Sequence, residues 1–195
     1  MTHNIPSLET ARLLLRPMEL ADVPQAQAIF PQWEIVKYLN GKVPWPYPAN
    51  GAEIFFGEMA LPARERGDEW LWTIRLKRAP ETIIGGISLT KSEHENRGFW
   101  LDPRLHGQGY ITEACDAVTN FWFEVLKFPV LRAPKAVANE ASRRISEKQD
   151  MRVIERMERD YVCGRPPAEL WEITAEEWRA RKARMQKPRM RGEQA

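Results

Sequence analysis

The sequence predicts an α/β protein with a mixed, mostly antiparallel central sheet, a parallel splayed pair of strands and flanking helices. Three observations carry this. E-W-L-W-T-I-R-L (Glu69–Leu76) and T-I-I-G-G-I-S-L-T (residues 82–90) are β-rich runs joined by K-R-A-P-E, an antiparallel hairpin that Arg97–Leu101 extends by a third strand. From Ile111 the apolar residues Ile111, Ala114, Cys115, Val118, Phe121, Trp122, Val125 and Leu126 fall on one helical face. A further strand follows over 129–138, and strand, helix, strand in that order is a right-handed crossover that sets two strands side by side and parallel.

The remaining elements fall around this centre. R-L-L-L-R (residues 12–16), closed by Pro17, is a first strand. A helix then opens with Asp22 at its N-cap and Pro24 in its first turn, where proline is tolerated, and runs to about Phe30. A short turn covers residues 33–39. The proline-rich stretch 41–50 can join neither helix nor sheet and carries Trp45 and Tyr47. Asn50 caps a helix from Ala52 to about Arg66, stopped by Gly67. Asn139 is placed to cap a short helix over 140–148, and residues 152–161 and 169–174 form a last hairpin. Thr174 with Glu177 reads as a capping box that starts a terminal helix.

Composition narrows the class. At 195 residues with 43% hydrophobic and 29% charged content, the chain suits one globular domain, assigned to 1–178. No apolar run approaches the roughly 18 residues of a membrane span, and the N-terminus lacks a signal-peptide pattern, so a cytoplasmic protein without membrane contact is expected. Two cysteines, Cys115 and Cys163, make neither a disulfide framework nor a metal cluster, and no metal is expected. A net charge of +2 argues against wholesale nucleic-acid binding. The segment 179–195 is a basic tail (Arg179, Arg181, Lys182, Arg184, Lys187, Arg189, Arg191 against Glu193), expected to be a solvated terminus, with weak RNA or ribosome contact as the alternative.

The stretch 101–126 draws attention functionally. Gly107 and Gly109 lie in a loop that runs into the amphipathic helix, and such a loop presents unpaired N–H groups at the positive end of the helix dipole. A phosphate-bearing ligand is therefore implied. A P-loop is excluded because lysine and hydroxyl do not follow Gly109. A dinucleotide loop is excluded because Thr112 stands where its third glycine belongs.

Four ordered segments bear a resemblance to one family: L-E-T-A-R-L-L-L-R-P, W-L-D-P-R-L-H-G-Q-G-Y-I-T-E-A, N-E-A-S-R-R-I-S-E-K and W-E-I-T-A-E-E-W. Together the chain resembles the GNAT N-acetyltransferases, in particular their ribosomal-protein-alanine acetyltransferase (RimJ/RimL-like) branch. The resemblance implies the GNAT (acyl-CoA N-acyltransferase) fold, and transfer of acetyl from acetyl-CoA to a primary amine by direct attack. It also implies that His106, Gly107, Gln108, Gly109, Tyr110 and Thr112 cradle the pyrophosphate, and that Trp100 and Leu101 pair with the pantetheine arm. Asn139 would hold the pantetheine side of the site, and Ser142 would give a proton or hydrogen bond to the departing thiolate. Trp33, Glu34, Trp45, Tyr47, Trp70 and Trp72 are the implied walls of the acceptor groove.

Three positions differ from the family pattern. Ile111 stands where a small residue is usual, Asn96 where the strand often carries glutamate, and Asp150 where glycine is usual. Glu93, Glu95 and Glu34 are substitutes for the missing base by residue type. An α-amine, with a pKa near 8, is partly neutral at pH 7, whereas a lysine amine near 10.4 is not, so the missing base favours a protein or peptide α-amine as acceptor. A small-molecule amine, or a non-catalytic acyl-CoA-binding module on the same fold, are the alternatives. Monomer and homodimer are both open.

Overall fold

Two antiparallel sheets meet where the sequence predicts the crossover. The computed structural model describes residues 5–186. Strands β1 (Leu8–Glu9), β2 (Leu13–Pro17), β3 (Glu69–Leu76), β4 (Ala79–Thr90) and β5 (Arg97–Leu101) form one sheet in sequential order. Strands β6 (Val130–Ala136), β7 (Arg152–Glu158) and β8 (Pro167–Thr174) form a second, in the order β6-β8-β7. The helices are α1 (Val23–Ile29), α2 (Trp33–Val36), α3 (Gly51–Ile54), α4 (Leu61–Arg66), α5 (Tyr110–Glu124), α6 (Glu140–Lys148) and α7 (Ala175–Gln186), with a π-helical segment Phe55–Ala60 between α3 and α4.

The long helix α5 joins the sheets. Its Ala114, Cys115, Val118, Phe121 and Trp122 pack with Leu13, Leu15, Trp72, Ile74 and Leu89 of the first sheet and with Leu131, Ala133 and Ile173 of the second. A smaller cluster covers the opposite face of the first sheet, where Met18, Val23, Ala26, Ala52, Phe56 and Ala60 pack with Trp100. The core therefore lies on both faces of the first sheet.

The parallel pair is splayed, as the fold class requires, and not hydrogen-bonded side by side as the crossover rule alone implies. β5 and β6 run in the same direction but form no ladder, and each pairs within its own sheet. They are tied at one end. Asn96 N–H donates to Arg132 O (2.8 Å), Arg132 N–H donates to Asn96 Oδ1 (2.7 Å), and Asn96 Nδ2 donates to Thr90 O (3.2 Å). Three residues further along both strands, Lys135 Nζ lies 5.1 Å from the Phe99 ring centroid, so side chains rather than main-chain bonds fill the space between them.

Local signals were mostly legible. Thr174 and Glu177 form the expected reciprocal box, with Thr174 N–H donating to Glu177 Oε2 (2.7 Å) and Glu177 N–H to Thr174 Oγ1 (3.2 Å). Asp150 occupies the left-handed region at φ 58°, the conformation that favours glycine there. Asn50 occupies the N-cap of α3 without a side-chain capping bond. Asp22 sits at the N-cap of α1, but its carboxylate does not cap that helix. It accepts instead from Glu19 N–H (3.1 Å) and from the buried Arg75 guanidinium (2.5 Å). Arg179, Arg181, Lys182 and Arg184 of the basic segment lie on α7 and contact Glu124, Lys148 O, Asn120 and Asp150 respectively, while residues 187–195 lie outside the described residues.

Removing the Asp22 carboxylate leaves a guanidinium whose side chain is only 2% exposed without its ion-pair partner. Asp22→Ala is expected to lower the unfolding free energy by about 3–5 kcal/mol, read by urea denaturation.

Candidate active site

The glycine loop is built from the N-terminal side. Asp102 opens a 3₁₀ turn, Pro103–Leu105, and its carboxylate accepts from Arg104 N–H (3.0 Å) and from the Arg104 guanidinium (2.6 Å). The hydrogen bonds from Arg104 hold the Asp102 carboxyl below its ordinary range. The chain then passes through Gly107 (φ 76°) and Gly109 (φ 80°), left-handed positions that side chains disfavour, and enters α5 at Tyr110. Glu113 N–H, donating to Gly109 O (3.1 Å), is the first amide of the helix with an acceptor in the chain. The N–H groups of residues 107–112 have none among the described residues, and Gly107, Gln108 and Gly109 are exposed. This is an anion cradle of main-chain donors.

Arg12 and Glu113 fix the cradle to the first sheet. Glu113 accepts from Thr10 Oγ1, from Arg12 N–H (2.8 Å) and from Arg12 Nε (2.7 Å). Arg12 also donates to Gln108 O (3.0 Å) and lies over the ring of the buried Tyr110. Burial raises the Glu113 pKa, but the hydrogen bonds from Thr10 and Arg12 outweigh it and hold the carboxyl below its ordinary value.

Next to the cradle lies the free edge of β5. Asp102 N–H donates to Ile84 O and Thr90 N–H donates to Asn96 O, so antiparallel alternation turns the main-chain groups of Trp100 inward to Gly86. Those of Phe99 and Leu101 face the gap toward β6. Leu101 O is met by His106 Nε2 at 3.1 Å. Trp100 is therefore not a main-chain partner for a ligand on that edge; its side chain instead meets Phe30 edge-on (5.5 Å), and Phe30 meets Tyr47 (4.8 Å).

The far wall of the gap comes from β6 and α6. Asn139 caps α6, its Oδ1 accepting from Ser142 N–H (3.2 Å). Ser142 Oγ accepts from Lys135 Nζ (2.9 Å), and its own proton has no acceptor among the described residues. Lys135 is 4% exposed. Burial, reinforced by the nearby Arg97 guanidinium, pushes its pKa down to about 7. Lys135 and Phe99 were missed in the sequence, although Lys135 shares the inward parity of Leu131 and Ala133, a register at which lysine is out of place.

The acceptor-side residues divide. Trp33 and Trp45 are 40% and 43% exposed and meet with their rings tilted, centroids 5.4 Å apart; Glu34 is exposed beside them. Tyr47 is half-buried. Trp72 is a correction: it is fully buried against Phe121 and donates its indole N–H to Pro6 O (2.8 Å) because alternation on β3 turns it toward α5. Trp70, on the same parity, packs with Trp122 and is equally unavailable as a wall. Asn96 is occupied in tying the strands, and Glu95 is engaged by Arg159 and by Asn40 Nδ2 (3.1 Å). Ile111 packs against the main core rather than into the cradle. No group of three or more His, Cys, Asp or Glu placed to hold a metal occurs among the described residues, and no described helix is long and apolar enough to cross a membrane.

Comparison with known proteins places the chain in a family. Residues 12–152 match the family model described as the acetyltransferase (GNAT) domain. A Bacillus subtilis (strain 168) protein named "Putative ribosomal N-acetyltransferase YdaF" is 34% identical over 71 residues, covering 34% of this chain; the match spans about two fifths (39%) of that relative. Mycobacterium smegmatis RimJ, solved in complex with CoA-disulfide, superposes with a TM-score of 0.74 at 16% identity, covering 88% of this chain and 87% of that one. The spermidine N-acetyltransferase of Vibrio cholerae, in complex with CoA and spermine, superposes with a TM-score of 0.72 at 15% identity, covering 87% and 99%. At these identities the two structures establish the shared fold.

Two measurements check the cradle. Since the Ile111 side chain points to the core, Ile111→Ala should cost about 1–2 kcal/mol of stability and leave acetyl-CoA affinity within about twofold by calorimetry. The Glu113 carboxyl is depressed in the folded chain, so its contribution is present above the unfolded value of about 4.3 and is lost as pH falls through the folded one. The stability gap between wild type and Glu113→Gln should therefore narrow from pH 6 to pH 3.

Proposed function

Because the chain belongs to the GNAT acetyltransferase family, we propose that it transfers the acetyl group of acetyl-CoA to a primary amine, the α-amine of a protein or peptide being the preferred acceptor. One observation carries the reading: the free N–H run at 107–112 follows directly on an unpaired strand edge, and Lys135, which lies over Phe99 of that strand, is bonded to the Ser142 hydroxyl. A pyrophosphate fits the first, an extended pantetheine arm the second, and a thioester sulfur the third. Bound acetyl-CoA supplies an activated acetyl thioester.

The chain's own groups do the rest. Amides of residues 107–112 bind the phosphates, with no side-chain cation needed beyond Arg12 and Arg104 nearby. Outward N–H groups of β5, at Phe99 and Leu101, are the donors available to polarise the thioester carbonyl. Asn139 acts as a cap that orients Ser142, and Ser142 hydrogen-bonds the leaving sulfur. Trp33, Glu34, Trp45 and Tyr47 form the acceptor side.

The preference for an α-amine rests on what occupies the edge of β5. Asn96, with its main-chain N–H and C=O and both ends of its amide engaged, offers no base, and an α-amine near pKa 8 needs one least. The relatives include both a ribosomal N-acetyltransferase by name and a spermidine acetyltransferase, so the acceptor is the finer part of the proposal. A cytoplasmic place of action fits two free cysteines.

Thiol release from acetyl-CoA across a panel of N-terminal peptides, lysine peptides, polyamines and aminoglycosides, paired with calorimetry of CoA binding, tests this. The expected result is micromolar to millimolar CoA binding and at least tenfold higher kcat/KM for an α-amine peptide. Faster turnover of a polyamine overturns the acceptor; binding with no turnover across the panel supports a non-catalytic acyl-CoA module instead.

A further inference from the structure

We propose that Lys135 is the proton source behind Ser142, replenishing the serine hydroxyl as that hydroxyl protonates the sulfur of departing CoA. The inference rests on the acetyl-CoA reading and deepens it. Its basis is a directional arrangement. Lys135 Nζ donates to Ser142 Oγ at 2.9 Å, leaving the hydroxyl proton of Ser142 without an acceptor among the described residues. Both groups are at least nine-tenths buried, and Lys135 Nζ lies 5.1 Å from the Phe99 ring of β5.

The surroundings of Lys135 explain why its proton is available. Phe99 of β5 lies under its ammonium, and Arg97 on the same strand adds a second buried cation. Cys115 of α5 faces it as a thiol whose pKa is raised, first of all by burial. Glu169 lies opposite it in the β6–β8 register, but that carboxylate is taken by Arg143 (3.0 Å) and Arg156 (3.5 Å). Among the described residues, no carboxylate lies within 4 Å of Lys135 to hold its proton.

A hydroxyl alone is too weak an acid to protonate a thiolate, since water itself titrates at about 15.7. An ordinary ammonium near 10.4 would give its proton to a thiolate of pKa about 8.5 uphill, by roughly 80-fold. From an ammonium near 7, as burial makes Lys135, the same transfer runs downhill by roughly 30-fold. The proton count closes. The amine nitrogen bonds to the acetyl carbon, the C–S bond breaks, and its electron pair stays on sulfur. The Ser142 proton passes to sulfur and a Lys135 proton passes to the serine oxygen. The amine releases one proton to water, and water returns one to Lys135. Lys135 acts through Ser142 and does not itself touch substrate.

The test begins with NMR of the protein labelled at lysine Cε. Lys135 should titrate near 7 in the free protein, and saturating CoA should raise that midpoint by at least half a pH unit, because the bound thiol ionises beside it. Desulfo-CoA, which lacks only the sulfur, should leave it unmoved. Equal responses to the two ligands overturn the proposal, as does a midpoint near 10. Failure of wild type to bind CoA at all, seen by calorimetry, defeats the acetyl-CoA reading itself and this proposal with it. In turnover with the best amine of the panel, Lys135→Met should lower kcat about 100-fold with KM for acetyl-CoA within about threefold. It should also remove the descending limb of the wild-type pH profile near 7. The double variant with Ser142→Ala should be no slower than Ser142→Ala alone. Wild-type kcat in a folded Lys135→Met variant, or an unchanged pH profile, overturns the proposal.

Discussion

A single side chain sets the geometry of the site. Asn96 uses its main-chain N–H and both ends of its amide to tie the start of β5 to β6 and to the β4–β5 turn. Beyond that tie, β5 is committed to β4 and β6 to β8, so the two strands share a direction without sharing hydrogen bonds. An unpaired edge at the centre of a protein would ordinarily be a liability, because its N–H and C=O groups need partners. Here it is where a linear ligand with amide groups can lie. The amide of Asn96 is thereby fully committed to structure.

The electrostatics of the gap follow from the same arrangement. Two buried cations, Arg97 and Lys135, lie beside it, and neither has a carboxylate within 4 Å among the described residues. Arg97 is satisfied by neutral oxygens, Thr119 Oγ1 (2.6 Å) and Gln149 Oε1 (2.7 Å), and Gln149 in turn donates to Asp116 (2.8 Å). Positive potential is thus kept in the gap instead of being cancelled locally. Burial without pairing favours loss of charge at the group that can lose it, which is the lysine and not the arginine.

The residues proposed for the acceptor side are organised differently, by aromatic contact. Trp100, Phe30 and Tyr47 form a continuous row from β5 to the proline loop, and Trp33 and Trp45 meet at the surface with tilted rings. Both tryptophan pairs of the sequence, 33 with 45 and 70 with 72, looked alike as residue types. Position on the scaffold separates them: loop and helix-end positions are exposed, while Trp70 and Trp72 share a strand parity that faces α5.

By itself the sequence determined what depends on near neighbours along the chain. The glycine loop and its helix, the hairpin of β3 and β4, the Asn139 cap, the Thr174–Glu177 box and the left-handed turn at Asp150 all arise from residues within a few positions of each other, and all were legible. The family resemblance was legible too, because it is carried by ordered local segments. Tertiary structure alone decided which strand edges stay unpaired, which face of β5 Trp100 presents, that Asn96 is a tie, and that Lys135 meets Ser142. Those outcomes depend on the relative placement of β5, β6, α5 and α6, set by long-range packing around α5. No pattern of neighbouring residues encodes where a buried lysine will find its hydroxyl.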